Sequence, residues 1–501
     1  MTRSAVPALL PVVPFVGAAV AAMVAVVSPR VARWVAVVAV AVVTVLAAWG
    51  LARSVESGPL VHPMGGWAAP FGIEYVLDPL SAFIALLIGV IGLFVVLYPT
   101  RVGFGIEPER GVFLHAIVLL LLGGLLGVAV AGDLFNLFVS LEIYSIASYA
   151  LIALGGPAAA VASYRYLLIG TVGSSLYLLG VGFIYFTTGT LGMDSVTTTL
   201  GGLTGSPTTA AATALVVMGL GTKMAVFPLH VWLPDAHSHA PPAVAALLAA
   251  VQVKVAAYAL IRILLDVFPP RYVIDDLPVL DLLVWFGLAG VVVGSVIAIR
   301  QTDLKRLLAH STVAQIGYIA VGIGLANSQA LIGALLHVVN HAAMKACLFF
   351  AAGAILEQAR TKKIPEMTGL GPRMPWTMAG FTLAAISMIG LPPTAGFFSK
   401  WYLVSGAVET GNWFVAVVIV GSSVFTLVYF LRVLERIWFG TPESSGAHTG
   451  DGPGGTPSVV EARPAIVAPV AVLGISVVVL GIVNFAIVRE VLDPVAIRLL
   501  N

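Results

Sequence analysis

The chain has 501 residues, 59% hydrophobic and 10% charged, with a net charge of +2 and a mean hydropathy of +1.04. Soluble domains carry about 25% charged residues, so a soluble fold is excluded, and a near-neutral chain without a basic cluster gives nucleic acid nothing to bind. Cys347 is the only cysteine, which excludes an internal disulfide and any cysteine-built zinc or iron–sulfur site.

Apolar runs and their polar breaks predict an all-α polytopic membrane protein of about fourteen spans. They lie near 5–27, 31–52, 77–98, 111–131, 133–155, 161–188, 208–236, 241–267, 279–299, 303–325, 328–356, 376–405, 412–439 and 465–488. The first run is too long for a signal peptide and a second follows at once, so it is the first span. Residues 53–76 form one long loop. The segment 440–464, rich in Gly, Ser, Pro and Thr, forms a second, flexible one. The units are then a three-helix segment (1–110), two five-span segments (111–267 and 279–439), the flexible loop, and a last helix with its tail (465–501).

Lysine and arginine positions orient the spans. Fifteen fall at odd-numbered loops or the helix ends beside them: Arg30, Arg33, Arg101, Arg110, Arg165, Arg300, Lys305, Arg306, Arg360, Lys362, Lys363, Arg373, Arg432, Arg436 and Arg463. Six fall on the other side: Arg3, Arg53, Arg262, Arg271, Arg489 and Arg498. The positive-inside rule places the odd loops in the cytoplasm and both termini outside the cell membrane. Of 25 basic residues, 25 − 15 − 6 = 4 remain, Lys223, Lys254, Lys345 and Lys400, all inside predicted spans.

Two spans are broken by proline. The seventh carries Lys223 ahead of Pro228 and Pro234, and the twelfth carries Pro392-Pro393 ahead of Lys400. Proline removes a backbone hydrogen bond and clashes with the preceding turn, and broken helices in transporters line ion sites. The two lie five spans apart, an odd number. If they are equivalent they cross the membrane in opposite senses, as in an inverted repeat of five helices.

A lysine at the bilayer centre costs about 2.5–3.5 kcal/mol on insertion scales, and such residues mark ion or proton paths. Glu142, in the fifth span, is the one acidic residue placed deep in the membrane, and hence the charge partner expected for Lys223. The plainer reading is a carboxylate tied to a hydroxyl such as Ser145. Lys254 sits mid-span, where snorkelling to an interface is strained. His337, His341 and Lys345 follow at i, i+4 and i+8, one face of the eleventh span. They form a proton-carrying stripe or a polar packing face. A metal at the two histidines lacks a third ligand nearby in sequence. Lys400 is the second-half counterpart of Lys223. His230, between the prolines, lines the break or is a satisfied structural histidine. His237 and His239 are placed in a turn near water, and His310 at a solvated helix end. No phosphate-cradling loop and no haem, flavin or quinone motif is present, so no cofactor is expected.

Several stretches together resemble the antiporter-like subunits shared by respiratory complex I, membrane hydrogenases and the multisubunit Mrp cation/proton antiporters. They are Asp133-Leu134-Phe135-Asn136-Leu137-Phe138 leading to Glu142; Lys223 to Pro234 with Asp235-Ala236-His237; Asp303 to Thr312; Asn340 to Ala346; and Gly396 to Lys400. The resemblance covers roughly residues 70–440 and is nearest to the D-type subunit of Mrp antiporters. It implies Glu142 and Lys223 as a charge pair, Lys254 as a bridging lysine, Lys400 as a terminal lysine, and water and histidines between them. It also implies two inverted five-helix repeats and partner subunits of the A, B, C, E, F and G types. The function expected is proton movement in a sodium/proton antiporter, and the alternative is a proton-pumping subunit of a redox-driven complex. A secondary transporter subunit, rather than an enzyme, is the expectation.

Overall fold

The computed structural model describes residues 2–67, 72–99, 111–203, 205–440 and 459–500. Arg101, Arg110 and most of the expected flexible loop lie outside the described residues.

The helices that build the bundle, in chain order and leaving aside short surface helices such as Met193–Leu200, are α1 (Val6–Ala25), α2 (Pro29–Ser57), α3 (Pro79–Leu97), α4 (Leu114–Val130), α5 (Leu134–Ala153), α6 (Pro157–Thr188), α7 (Pro207–Met224), α8 (Leu233–His239), α9 (Pro242–Val267), α10 (Val279–Ile299), α11 (Leu304–Gly324), α12 (Ser328–Ala359), α13 (Pro375–Ile389), α14 (Ala395–Glu409), α15 (Trp413–Phe439) and α16 (Pro464–Leu500). Among the described residues, eleven helices are long and apolar enough to cross a membrane, and α4 and α13 are shorter apolar helices. The chain is a multi-pass, almost entirely helical membrane protein. The seventh expected span is the pair α7 and α8, and the twelfth is the pair α13 and α14, each interrupted at its prolines.

The 53–76 stretch is not all loop. α2 runs on to Ser57, and strands β2 (Leu60–Pro63) and β3 (Glu74–Leu77) pair antiparallel, with β1 (Thr2–Arg3) parallel to β2. The strands are four residues or fewer, too short to show a period of two in the sequence.

Caps fix where helices start. Asp133 accepts from the backbone N–H groups of Phe135 and Asn136 to begin α5, and Asp303 accepts from Arg306 to begin α11. Asp78 and Ser81 form a reciprocal capping box on α3.

Burial separates axis from periphery. The span windows of α9 and α11 are wholly buried and that of α12 is 94% buried, against 33% for α2 and 39% for α6 and α15. Two of these interior helices, α9 and α12, hold Lys254, His337, His341 and Lys345. Close packing rests on small residues: a Cβ at Gly317 of α11 would stand 2.4 Å from the Gly287 carbonyl of α10.

The two ends of the bundle carry separate charge clusters. At one, Asp235 pairs with Arg165 and Arg306, and Asp303 with Lys362. At the other, Arg262 holds Asp78 through two 2.8 Å contacts, and Arg498 of α16 adds a third at 2.8 Å. Burial alone would raise the Asp78 carboxyl, but the Arg262 and Arg498 guanidinium groups hold it well below the usual carboxylate range.

Candidate functional site

Lys223 lies in the last turn of α7. The helix stops because Ala225 turns left-handed (φ 62°) and the chain passes through turns, with a cis Phe227–Pro228 peptide, to α8. Lys223 is 1% exposed. Its Nζ donates to Ser145 Oγ at 2.7 Å and stands 3.4 Å from Glu142 Oε1. Glu142 and Ser145 are three apart on α5 and so share a face. From α6, Ser174 donates its hydroxyl to the same Glu142 oxygen. The expected pair is therefore together, with two serines between and behind it.

Lys254 is fully buried on α9, where a π turn spans Leu248–Gln252. Its Nζ folds back onto the Ala249 carbonyl of that turn. Such turns often mark functional sites. Lys345, His341, His337 and His237 are fully buried as well.

On α12 the expected stripe is a row. The His337 and His341 rings stack at 5.6 Å and 16°. His337 is held from both sides, by Ser399 at Nδ1 and Gln315 at Nε2, each at 2.9 Å. His341 is buried with neither ring nitrogen bonded to protein. Lys345 donates to Ser311 Oγ at 2.5 Å and to the Leu308 carbonyl at 2.7 Å.

Lys400 occupies the second break. Its Nζ donates to the carbonyls of Met388 (3.2 Å) and Ile389 (2.9 Å) and to Ser423 (3.1 Å), and lies 5.1 Å over the Tyr318 ring. The two carbonyls end α13, whose C-terminal dipole favours a cation. Gly390 adopts φ +93°, and a Cβ there would meet Lys400 Cδ at 3.1 Å, so space and backbone both favour glycine. Lys223 sits in its own helix's last turn, whereas Lys400 reaches across to the last turn of the preceding half-helix. This is the physical content of their different proline spacing.

Three placements differ from the sequence reading. His237 is buried, not near water: it lies inside α8 with both nitrogens unpartnered, between the edges of Trp232 and Phe349. The Pro241-Pro242 turn behind it is covered by α12, so a turn signal did not mean exposure. Lys305, counted as a loop cation, is buried and donates to the Ala240 carbonyl, making a fifth buried lysine. His310 is half-buried and its Nδ1 has no partner. His230 lies in the break, stacked on Phe227 at 5.3 Å. Ser174, Gln315, Ser399 and Ser423 were missed. Their only sequence signal is a polar residue recurring at helical spacing within apolar runs. Among the described residues no three His, Cys, Asp or Glu side chains gather as a metal site.

The fold and this row of buried charges define a class: a polytopic subunit with ionisable groups strung through its interior. The family model described as NADH:quinone oxidoreductase/Mrp antiporter, TM, matches residues 131–426, and the chain belongs to that family. It is 44% identical over 491 residues to the N subunit of an NADH-quinone oxidoreductase from Desulforudis audaxviator, with 97% of each covered. It is 34% identical over 391 residues, 77% of each, to the D-type subunit of a Na(+)/H(+) antiporter from Alkalihalophilus pseudofirmus. A chain in the structure of the Mrp complex from Dietzia sp. superposes with a TM-score of 0.89 at 26% identity, covering 99% of this chain and 98% of that one.

Proposed function

We propose that this chain is the proton-translocating subunit of a multisubunit monovalent-cation/proton antiporter. The observation that carries the reading is the contact of buried Lys223 with half-buried Glu142, 3.4 Å apart at a broken helix, with Lys254, Lys345, His341, His337 and Lys400 buried in the interior beyond it. A buried lysine is costly unless its charge is used. Each of these lysines has hydroxyl or carbonyl oxygens that accept hydrogen bonds from its ammonium, so each can hold a proton and hand it on once a neighbour or a water comes within reach. Neither ring nitrogen of His341 is engaged by protein, so a neutral His341 can receive a proton at its unprotonated nitrogen while the other donates. His337 and His230 are secondary stations.

Sodium prefers hard oxygen ligands, and this interior offers one carboxylate among its lysines. The cation therefore crosses elsewhere in the complex or on carbonyls freed at a break. The segments 111–267 and 279–439 act as inverted repeats, one around Lys223 and one around Lys400. The membrane is the cell's plasma membrane, with the Asp235–Arg306 end cytoplasmic and both termini outside. Partners are the small and large membrane subunits of an Mrp-type assembly.

A second reading has a specific support, the full-length 44% relative named as part of a quinone oxidoreductase. There the same residues pump protons under redox drive. Purifying the tagged chain from its native membrane separates the two. Membrane subunits alone support the antiporter, whereas flavin and iron–sulfur proteins in stoichiometric amounts overturn it. Separate proton and sodium fluxes in a Lys223→Ala complex test the ion assignment: proton movement intact with sodium binding lost contradicts it.

A further inference from the structure

The Lys223 pair and Lys254 have no direct hydrogen bond between them, yet a closed ring of buried groups joins their supports. Lys223 Nζ rests on Ser145 of α5. Three residues on, Ser148 donates to Gln252 Oε1 at 2.9 Å. The Gln252 amide nitrogen donates to the Tyr166 hydroxyl on α6. The Tyr166 ring stacks on Trp232 at 3.8 Å and 10°. Trp232 Nε1 donates at 3.0 Å to the Thr222 carbonyl, one residue before Lys223. Ser148, Gln252, Tyr166 and Trp232 are all essentially inaccessible to solvent.

Gln252 closes the π turn Leu248–Gln252, and that same turn supplies the Ala249 carbonyl that receives Lys254 Nζ. The group that pins the turn therefore pins the resting place of the lysine. An apolar residue would fill this interior without any need for partners, whereas a buried amide must be satisfied at both ends and so fixes the register of what it joins. We infer that Gln252 is a positioning residue for proton transfer: through Ser148, Tyr166 and Trp232 it locks the π turn that holds Lys254 to the break that holds Lys223, setting the spacing across which the proton passes. The inference rests on the proton-path reading above.

The test uses the complete complex in inverted membrane vesicles, with proton movement read from a fluorescent ΔpH probe and rates divided by the amount of assembled complex. Tyr166→Phe, which loses one hydrogen bond, is expected to lower the maximal rate about tenfold, and Gln252→Leu, which loses two, at least about tenfold, with half-saturating sodium unchanged in both. The double variant is expected to be no slower than Gln252→Leu, because both break one ring. Wild-type rates per complex, losses that multiply in the double variant, or a rise in half-saturating sodium that parallels the rate loss would each overturn the inference. If Gln252→Leu does not assemble, Tyr166→Phe, which removes a single oxygen, decides alone: a wild-type rate overturns it. A Lys223→Ala control keeps the two readings apart, since normal proton movement there overturns the proton path itself whatever the Gln252 series shows.

Discussion

Replacing Lys223 by arginine separates a proton carrier from a mere counter-charge. The guanidinium keeps the positive charge opposite Glu142, 3.4 Å away, and can still donate to Ser145, so an ion pair that only holds α5 to α7 survives. A relay does not survive, because arginine does not give up its proton. Its ordinary pKa exceeds that of lysine by about 2–3 units, at about 1.4 kcal/mol per unit, so deprotonation costs about 3–4 kcal/mol more. On the rate scale this is about a 10²–10³-fold loss. The assay is the ΔpH response of vesicles carrying equal amounts of assembled complex, with Lys223→Ala beside it. Arginine is expected to be as inactive as alanine while assembling better. A Lys223→Arg complex that moves protons within twofold of wild type would refute the carrier role and leave Lys223 a structural charge.

Ser174→Ala removes the α6 hydroxyl from Glu142; a hydrogen bond to a charged group is worth about 1.5–3 kcal/mol, so the transport rate should fall at least about tenfold with assembly intact, and an unchanged rate would remove Ser174 from the site. Asp78→Asn keeps a side chain able to cap α3 but strips the charge that Arg262 and Arg498 share, leaving buried Arg262 with only the more exposed Asp266 as its carboxylate partner; losing a charge-assisted hydrogen bond costs about 1.5–3 kcal/mol. A marked drop in the thermal midpoint of the purified complex checks this. Because the folded Asp78 carboxyl lies below its unfolded value, its contribution is full above the ordinary carboxylate range and is lost as the pH falls through the lower, folded value. Cys347 is buried with its thiol donating to the Gly380 and Val470 carbonyls, so the native chain should resist a membrane-impermeant maleimide. Cysteines introduced at Ser57 and at Lys362 then report orientation: in intact cells Ser57→Cys should label and Lys362→Cys should not, and the reverse pattern would invert the topology.

Much of the architecture was legible because a bilayer punishes polar residues: long apolar runs located the helices, and prolines located both breaks. The same penalty made Glu142, Lys223, Lys254, Lys345 and Lys400 visible one by one. What escaped was whatever needs a neighbour to have meaning. Ser174 and Gln252 are ordinary residues in apolar helices until α6 and α9 bring them against Glu142 and Ser148 of α5. His237 precedes a double proline, a local signal of a turn, but the turn is roofed by α12 and the ring is buried against Phe349. Lys305 stands two residues into α11, where position suggests solvent, yet its stem is buried and its ammonium is taken by the Ala240 carbonyl. The β2–β3 hairpin was missed because strands of four residues leave too little pattern to read.

If one proton path runs through both halves of the chain, loss at its far end is as severe as loss at Lys223. Proton movement by the Lys400→Gln complex puts this to the proof. Glutamine keeps a polar, hydrogen-bonding side chain beside the Met388 and Ile389 carbonyls that now hold the ammonium, but it carries no proton on. A single path requires a loss as complete as that of Lys223→Ala, with normal assembly. Proton movement at the wild-type rate in Lys400→Gln would contradict it.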